Sequence, residues 1–147
     1  MAAKLNEDYI IHIKSSVEQG SEPETIELTT RGSFLRKNGS FFITYKETEA
    51  TGYAGSTTTL KVAEDASRVA MLRYGRANAQ LLIERGRRNV CHYETGYGSV
   101  TLGVTADEIR SELTEKGGRV QFSYMLDADS AELVSKSSLD VSVKHIN

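Results

Sequence analysis

Residues 90–104 read VCHYETGYGSVTLGV, two short alternating runs hinged on Gly96-Tyr97-Gly98. Alternation at period two on both sides of a glycine-bearing reversal predicts a β-hairpin. The same arrangement recurs along the chain, and that recurrence is the strongest constraint on the fold. Strands joined by only a few residues pair antiparallel, because a parallel pair needs a crossover of a dozen residues or more.

Taken in order, residues 8–18 put Tyr9, Ile11, Ile13 and Ser15 on one face, and Gly20-Ser21-Glu22-Pro23 breaks the run. Residues 25–36 align Ile26, Leu28 and Thr30. Gly32 is read there as a bulge, the usual meaning of an isolated glycine in a strand. Asn38-Gly39 is the strongest two-residue hairpin signal, because both central positions of the mirror-image turn need φ > 0. Residues 40–48 align Phe41, Ile43, Tyr45 and Glu47, and residues 56–63 align Thr58, Leu60 and Val62. Further runs at 68–74, 79–84 and 89–95 flank Gly75 and Gly86. Residues 107–115 carry two signals. Thr105-Ala106-Asp107-Glu108 matches a capping box for a helix, yet Ile109, Ser111 and Leu113 alternate against Arg110 and Glu112. We read a strand, since its neighbours need a sheet partner. After Gly117-Gly118, residues 119–126 align Val120, Phe122, Tyr124 and Leu126, and residues 133–145 align Leu139, Val141 and Val143.

The pattern gives roughly ten strands in one domain, 1–147, with no helical spacer. A sheet of that many antiparallel strands curls, and closing it removes its edges. The expected architecture is all-β, an antiparallel up-and-down β-barrel, with a two-sheet sandwich as the alternative. The single proline suits a chain that is mostly paired strand. The chain is long enough to bury a core without a staple, and its one cysteine, Cys91, excludes an intramolecular disulfide. That cysteine usage fits a reducing compartment. No signal-type apolar run opens the sequence, and no segment approaches the ~20 apolar residues of a spanning helix. A net charge of −2 exerts no long-range pull toward nucleic acid or an anionic membrane. The expectation is a soluble cytoplasmic protein.

The runs Phe42-Ile43-Thr44-Tyr45-Lys46-Glu47 and Ser56-Thr57-Thr58-Thr59-Leu60-Lys61 resemble the YwiB-like family of small bacterial proteins of unknown function. So do His92-Tyr93-Glu94-Thr95-Gly96-Tyr97-Gly98-Ser99, Leu102-Gly103-Val104 and Gly117-Gly118. The resemblance spans nearly the whole chain and is most specific over residues 92–104. One departure is visible: the family usually has proline where Gly96 stands. The resemblance implies a calycin-like, lipocalin-type barrel and a cytosolic location. It implies no catalytic residues.

Several chemistries fail on spacing. His12, His92, His145 and Cys91 show no zinc-site spacing. Cys91 and His92 are adjacent on a strand and point to opposite faces, so they can neither share an ion nor form a nucleophile–base pair. Gly96-Tyr97-Gly98-Ser99-Val100-Thr101 lacks the third glycine and the following helix of a dinucleotide fingerprint. Arg85, Arg87 and Arg88 cluster at one turn, without the interleaved aromatics of a nucleic-acid surface. No metal and no cofactor is expected.

Parity gives the preferred reading. In an up-and-down barrel successive turns alternate between the two ends. The turns at residues 20–23, 50–55, 74–78, 96–98 and 117–118 then share a first end, and those at 38–39, 64–67, 86, 106 and 129 share a second. The first end gathers Tyr53, Tyr74 and Tyr97, with Arg73 and Arg76 beside them and Glu47 and Glu94 at strand ends. Tyr45 and His92 complete the candidate set. Such a mouth suits a small molecule with an apolar body and a polar or anionic end. Arg73 shares a face with Val69 and Met71, and points inward if that face is the core. It points outward if Ala70, Leu72 and Tyr74 are the core. Its place beside the turns of Tyr53 and Tyr97 favours the inward position, paired with Glu47, Glu94 or a ligand anion. Which face of residues 90–95 is internal is likewise open. Two alternatives stand beside ligand binding. One is a homodimeric interaction protein with a barrel filled by its own side chains. The other is an enzyme with His92 as general base, supported by Glu94, Glu47 or a tyrosine.

Overall fold

The computed structural model describes residues 7–20, 22–76, 78–95, 98–129 and 132–146, with the side chains of 93–95, 129 and 132 outside that description. Ten strands follow one another: β1 (Tyr9–Glu18), β2 (Glu24–Lys37), β3 (Ser40–Lys46), β4 (Ser56–Ala63), β5 (Arg68–Gly75), β6 (Ala79–Glu84), β7 (Arg88–Thr95), β8 (Gly98–Ser111), β9 (Gly117–Asp129) and β10 (Glu132–His145). Each pairs antiparallel with the next, and β1 closes on β10 from Tyr9↔His145 to Glu18↔Lys136. The result is the all-β up-and-down barrel that the short connections demand. A short 3-10 turn (Glu49–Thr51), capped by Thr48 Oγ1 accepting from Ala50 N, lies in the β3–β4 connection.

The local signals act as expected at most turns. Asn38 and Gly39 have φ of 51° and 77°, the mirror-image turn that matches the twist of its strands. The ladder of β7 and β8 runs from Arg88↔Thr105 to Thr95↔Gly98 around residues 96 and 97, which lie outside the described set.

Two expectations are corrected. Gly32 is not a bulge: β2 pairs in unbroken register with β1 and β3 on either side of it. A Cβ at Gly32 would come within 2.3 Å of Ile11 Cδ1 and 2.4 Å of the Thr44 carbonyl oxygen. The glycine is there because the chain passes too close for a side chain. The turn expected at Ala106 does not exist either. β8 runs through it, and the ladder with β9 absorbs Asp107 as an extra residue between Ala106↔Tyr124 and Glu108↔Ser123. Pairing along this long strand outweighs the local capping-box signal. With that turn gone, the connection before Gly117 moves to the second end, where Arg36 pairs with Glu115 at 2.6 Å and with Glu64 at 2.5 Å. The connection after Asp129 moves to the first.

The least laddered joint is between β6 and β7, which share one ladder pair, Ala79↔Tyr93, among the described residues. Asn89 Nδ2 donates across it to the Leu82 carbonyl at 3.2 Å. The interior of the second half of the barrel is filled. Ile11, Ile43, Leu60, Val62, Val69, Ile83, Ile109, Val120 and Val141 are fully buried, and Phe34 stacks on Phe41 with centroids 5.8 Å apart.

Candidate functional site

Toward the first end the inward faces change character. On β1 they run Ile11, Ile13, Ser15. On β3 they run Phe41, Ile43, Tyr45 and reach Glu47 just past the strand. On β4, Val62 and Leu60 give way to Thr58 and Ser56; on β5, Val69 and Met71 give way to Arg73. On β10, Val143, Val141 and Leu139 give way to Ser137 and Ser135. Thr58, Ser56, Ser135, Ser137 and Glu47 are all buried. The polar residues end at a cavity of roughly 440 Å³ whose wall includes Ile13, Met71, Leu102, Leu126 and Leu139 on its apolar side. Buried polar groups persist only when bonded: Thr58 bonds Glu47, and Ser137 bonds Tyr124.

Glu47 and Arg73 organise that network. Glu47 Oε2 accepts from Thr58 Oγ1 at 2.6 Å, from Arg73 Nε at 3.3 Å and from Arg73 Nη2 at 3.2 Å. Arg73 Nε also reaches Thr58 Oγ1 at 3.1 Å. The side chains of Arg73 and Glu47 are 9% and 2% exposed, so the charges compensate each other within the protein rather than in water. The guanidinium lies on the ring of Tyr53, with Cζ 3.8 Å from the centroid. Tyr53 therefore reaches the pair from the β3–β4 connection and covers one side of it.

Burial raises the Tyr45 phenol far above its ordinary range, with Glu47 adding to the rise, Arg73 opposing it and a hydrogen bond to Thr58 lowering it. Tyr124 is raised chiefly by burial as well, and hydrogen-bonds with Ser137. Both phenols keep their protons and serve as donors. Cys91 faces inward, and burial pushes its thiol up, which makes it a poor nucleophile.

Of the residues expected from sequence, Tyr45, Glu47, Tyr53 and Arg73 come together at this cavity. Tyr74, Arg76 and His92 do not: all three are exposed. Tyr74 and His92 line a second opening at β5–β7, of roughly 510 Å³, whose wall also includes Arg73, Ala79 and Cys91. Arg76 packs beside Gly55 on the loop after β5. His92 bonds Thr101 at 3.2 Å across the ladder. Because Cys91 occupies the inner face of β7, its neighbour His92 must face out, and it cannot act as a base with Glu47. Tyr97 and the side chain of Glu94 lie outside the described residues. At the arginine-rich turn, Arg85 donates to the Ala66 carbonyl at 2.8 Å, and Arg88 pairs with Asp127 at 2.6 Å.

Thr58, Tyr124, Ser135 and Ser137 are part of the site and were not singled out from sequence. Their signal was present as hydroxyl residues continuing otherwise aliphatic faces, always toward the same end of the barrel.

A family model described as a domain of unknown function, DUF1934, matches residues 11–141. The uncharacterized β-barrel protein YwiB of Bacillus subtilis (strain 168) is 27% identical over 114 residues, 78% of this chain and 78% of that protein. The crystal structure of YwiB from Bacillus subtilis superposes with a TM-score of 0.74 at 23% identity, covering 91% of this chain and 89% of that one. That structural likeness shows the barrel fold.

Proposed function

We propose, for a chain that belongs to the DUF1934 family of domains of unknown function, that the barrel binds a small molecule through the cavity at its first end. The lipocalin-type, calycin-like reading of the barrel belongs to this proposal. The observation that carries it is the division of the interior: one half is packed solid, while the other holds roughly 440 Å³ with an apolar wall and a bonded polar cluster. Cavities of this size and lining are the usual form of small-molecule sites. A barrel stabilised only by its own side chains would gain by filling that volume with methyl and methylene groups.

Native mass spectrometry of freshly purified protein tests the reading. The expected result is a species heavier than the bare chain whose extra mass is lost on denaturation. Bare protein, together with a melting temperature unmoved by a panel of apolar-bodied alcohols, amides and acids, would overturn it.

A further inference from the structure

Resting on that reading, we propose that the cavity selects a ligand whose polar end is neutral and carries a hydrogen-bond donor, and that it discriminates against a carboxylate. The sequence suggests a polar or anionic end, because Arg73 lies near the mouth. The geometry narrows the choice. Among the described residues lining the cavity, Arg73 is the one cation and Glu47 the one anion. They are joined at 3.2 Å, both nearly buried. A ligand carboxylate brought to Arg73 meets Glu47 at almost the same distance. The attraction and the repulsion largely cancel, while the cost of stripping water from the carboxylate remains. An ammonium end meets the mirror of the same problem.

A neutral end loses far less on dehydration. Among the described residues, every side-chain bond to Glu47 falls on Oε2, which leaves Oε1 as an acceptor beside the cavity. The Tyr45 and Tyr124 phenols and the hydroxyls of Ser135 and Ser137 line the same space. A hydroxyl or a primary carboxamide can donate to Oε1 while accepting from the Tyr124 phenol or a serine hydroxyl, the Tyr45 proton being held by Thr58. A carboxylate has nothing to donate. Tyr53, stacked on the guanidinium, covers one side of Arg73 and limits its approach to other anions.

The test is titration calorimetry with decanol, decanamide, decanoate and decylammonium, repeated with the corresponding naphthyl series so that body shape is varied. Wild-type protein should bind the alcohol or amide of at least one series, with both charged members at least about tenfold weaker. In Glu47→Gln, which keeps an acceptor for Thr58 but frees the charge of Arg73, the acid should become the preferred ligand. In Arg73→Gln the ammonium should gain instead. Either reversal supports the proposal, and circular dichroism checks that each variant is folded. Wild-type protein that binds the acid as tightly as the amide overturns this inference and leaves the binding reading intact. Binding of no member of either series overturns both.

Discussion

Glu47 and Arg73 are 26 positions apart, and the ladder of β3, β4 and β5 brings them together through Thr58. Sequence reasoning placed Arg73 inward and paired, from its register with Val69 and Met71, but could not choose Glu47 as the partner over Glu94 or a ligand anion. Taking one partner away leaves the other charged and largely out of water. Arg73→Ala should therefore cost about 3 kcal/mol, the lower edge of the range for a broken buried pair, since the cavity lets some water reach Glu47. Replacing both at once, as Arg73→Ala with Glu47→Gln, should cost less than the sum of the singles by about 1 kcal/mol or more. Urea unfolding of the four proteins measures this. Additive costs would show that the pair is not coupled. Gly32 teaches a related lesson. Its isolation in an alternating run was legible, but the cause was contact with Ile11 and the Thr44 backbone rather than an extra residue.

At the scale of elements, the turns were the most readable features, because their φ requirements are local. Gly39 has φ 77°, so Gly39→Val forces a β-branched residue into the left-handed region. It should destabilise by on the order of 1–3 kcal/mol, read by thermal or urea unfolding; a neutral result would contradict the turn geometry. The β9–β10 pair makes a separate prediction through its outer face. A hydrogen bond from Arg119, with its charge, holds the Asp140 carboxyl below the ordinary aspartate value of 3.8, against the opposing effect of burial. A depressed carboxyl stabilises the fold above its unfolded value, and that stability is lost as pH falls below it. The pair is partly exposed, so the contribution is small, about 0.5 kcal/mol or less. Asp140→Asn should lose less melting temperature than wild type between about pH 5 and pH 3. An identical acid slope would mean that Asp140 is not depressed.

For the whole molecule, closure is the decisive event. β1 pairs with β10, so Tyr9 must find His145 across nearly the full chain before the ring is complete. All-β topologies, whose pairings are non-local, fold in milliseconds to seconds rather than microseconds. Stopped-flow refolding should fall in that slow range, and a microsecond phase that completes folding would contradict the barrel order. Removing residues 132–147 should be more severe than any point change. It leaves β1 and β9 with open edges, which invite pairing between molecules. Size-exclusion chromatography should show aggregated rather than monomeric protein, and a monodisperse truncated chain would mean that closure is dispensable.

Period-two alternation, the Asn38-Gly39 turn and the absence of helical spacers determined an antiparallel all-β fold of about ten strands by themselves. These signals lie within a few residues of each other, where sterics and φ preferences act directly. The pairing of β1 with β10 decided for the barrel over the sandwich. Residues 107–111 show the limit. Local propensity offered a capping box there, and only the partner β9 could carry β8 through Asp107 and so relocate the turn before Gly117 to the other end. The inner and outer faces of β7 were decided the same way, with Cys91 in and His92 out. Both faces alternate equally well as text, and only packing against the rest of the barrel distinguishes them. The cluster of Glu47, Thr58 and Arg73 is of the same kind. Each residue is visible in the sequence, but their meeting depends on strand register and barrel closure, which are set by contacts between distant parts of the chain.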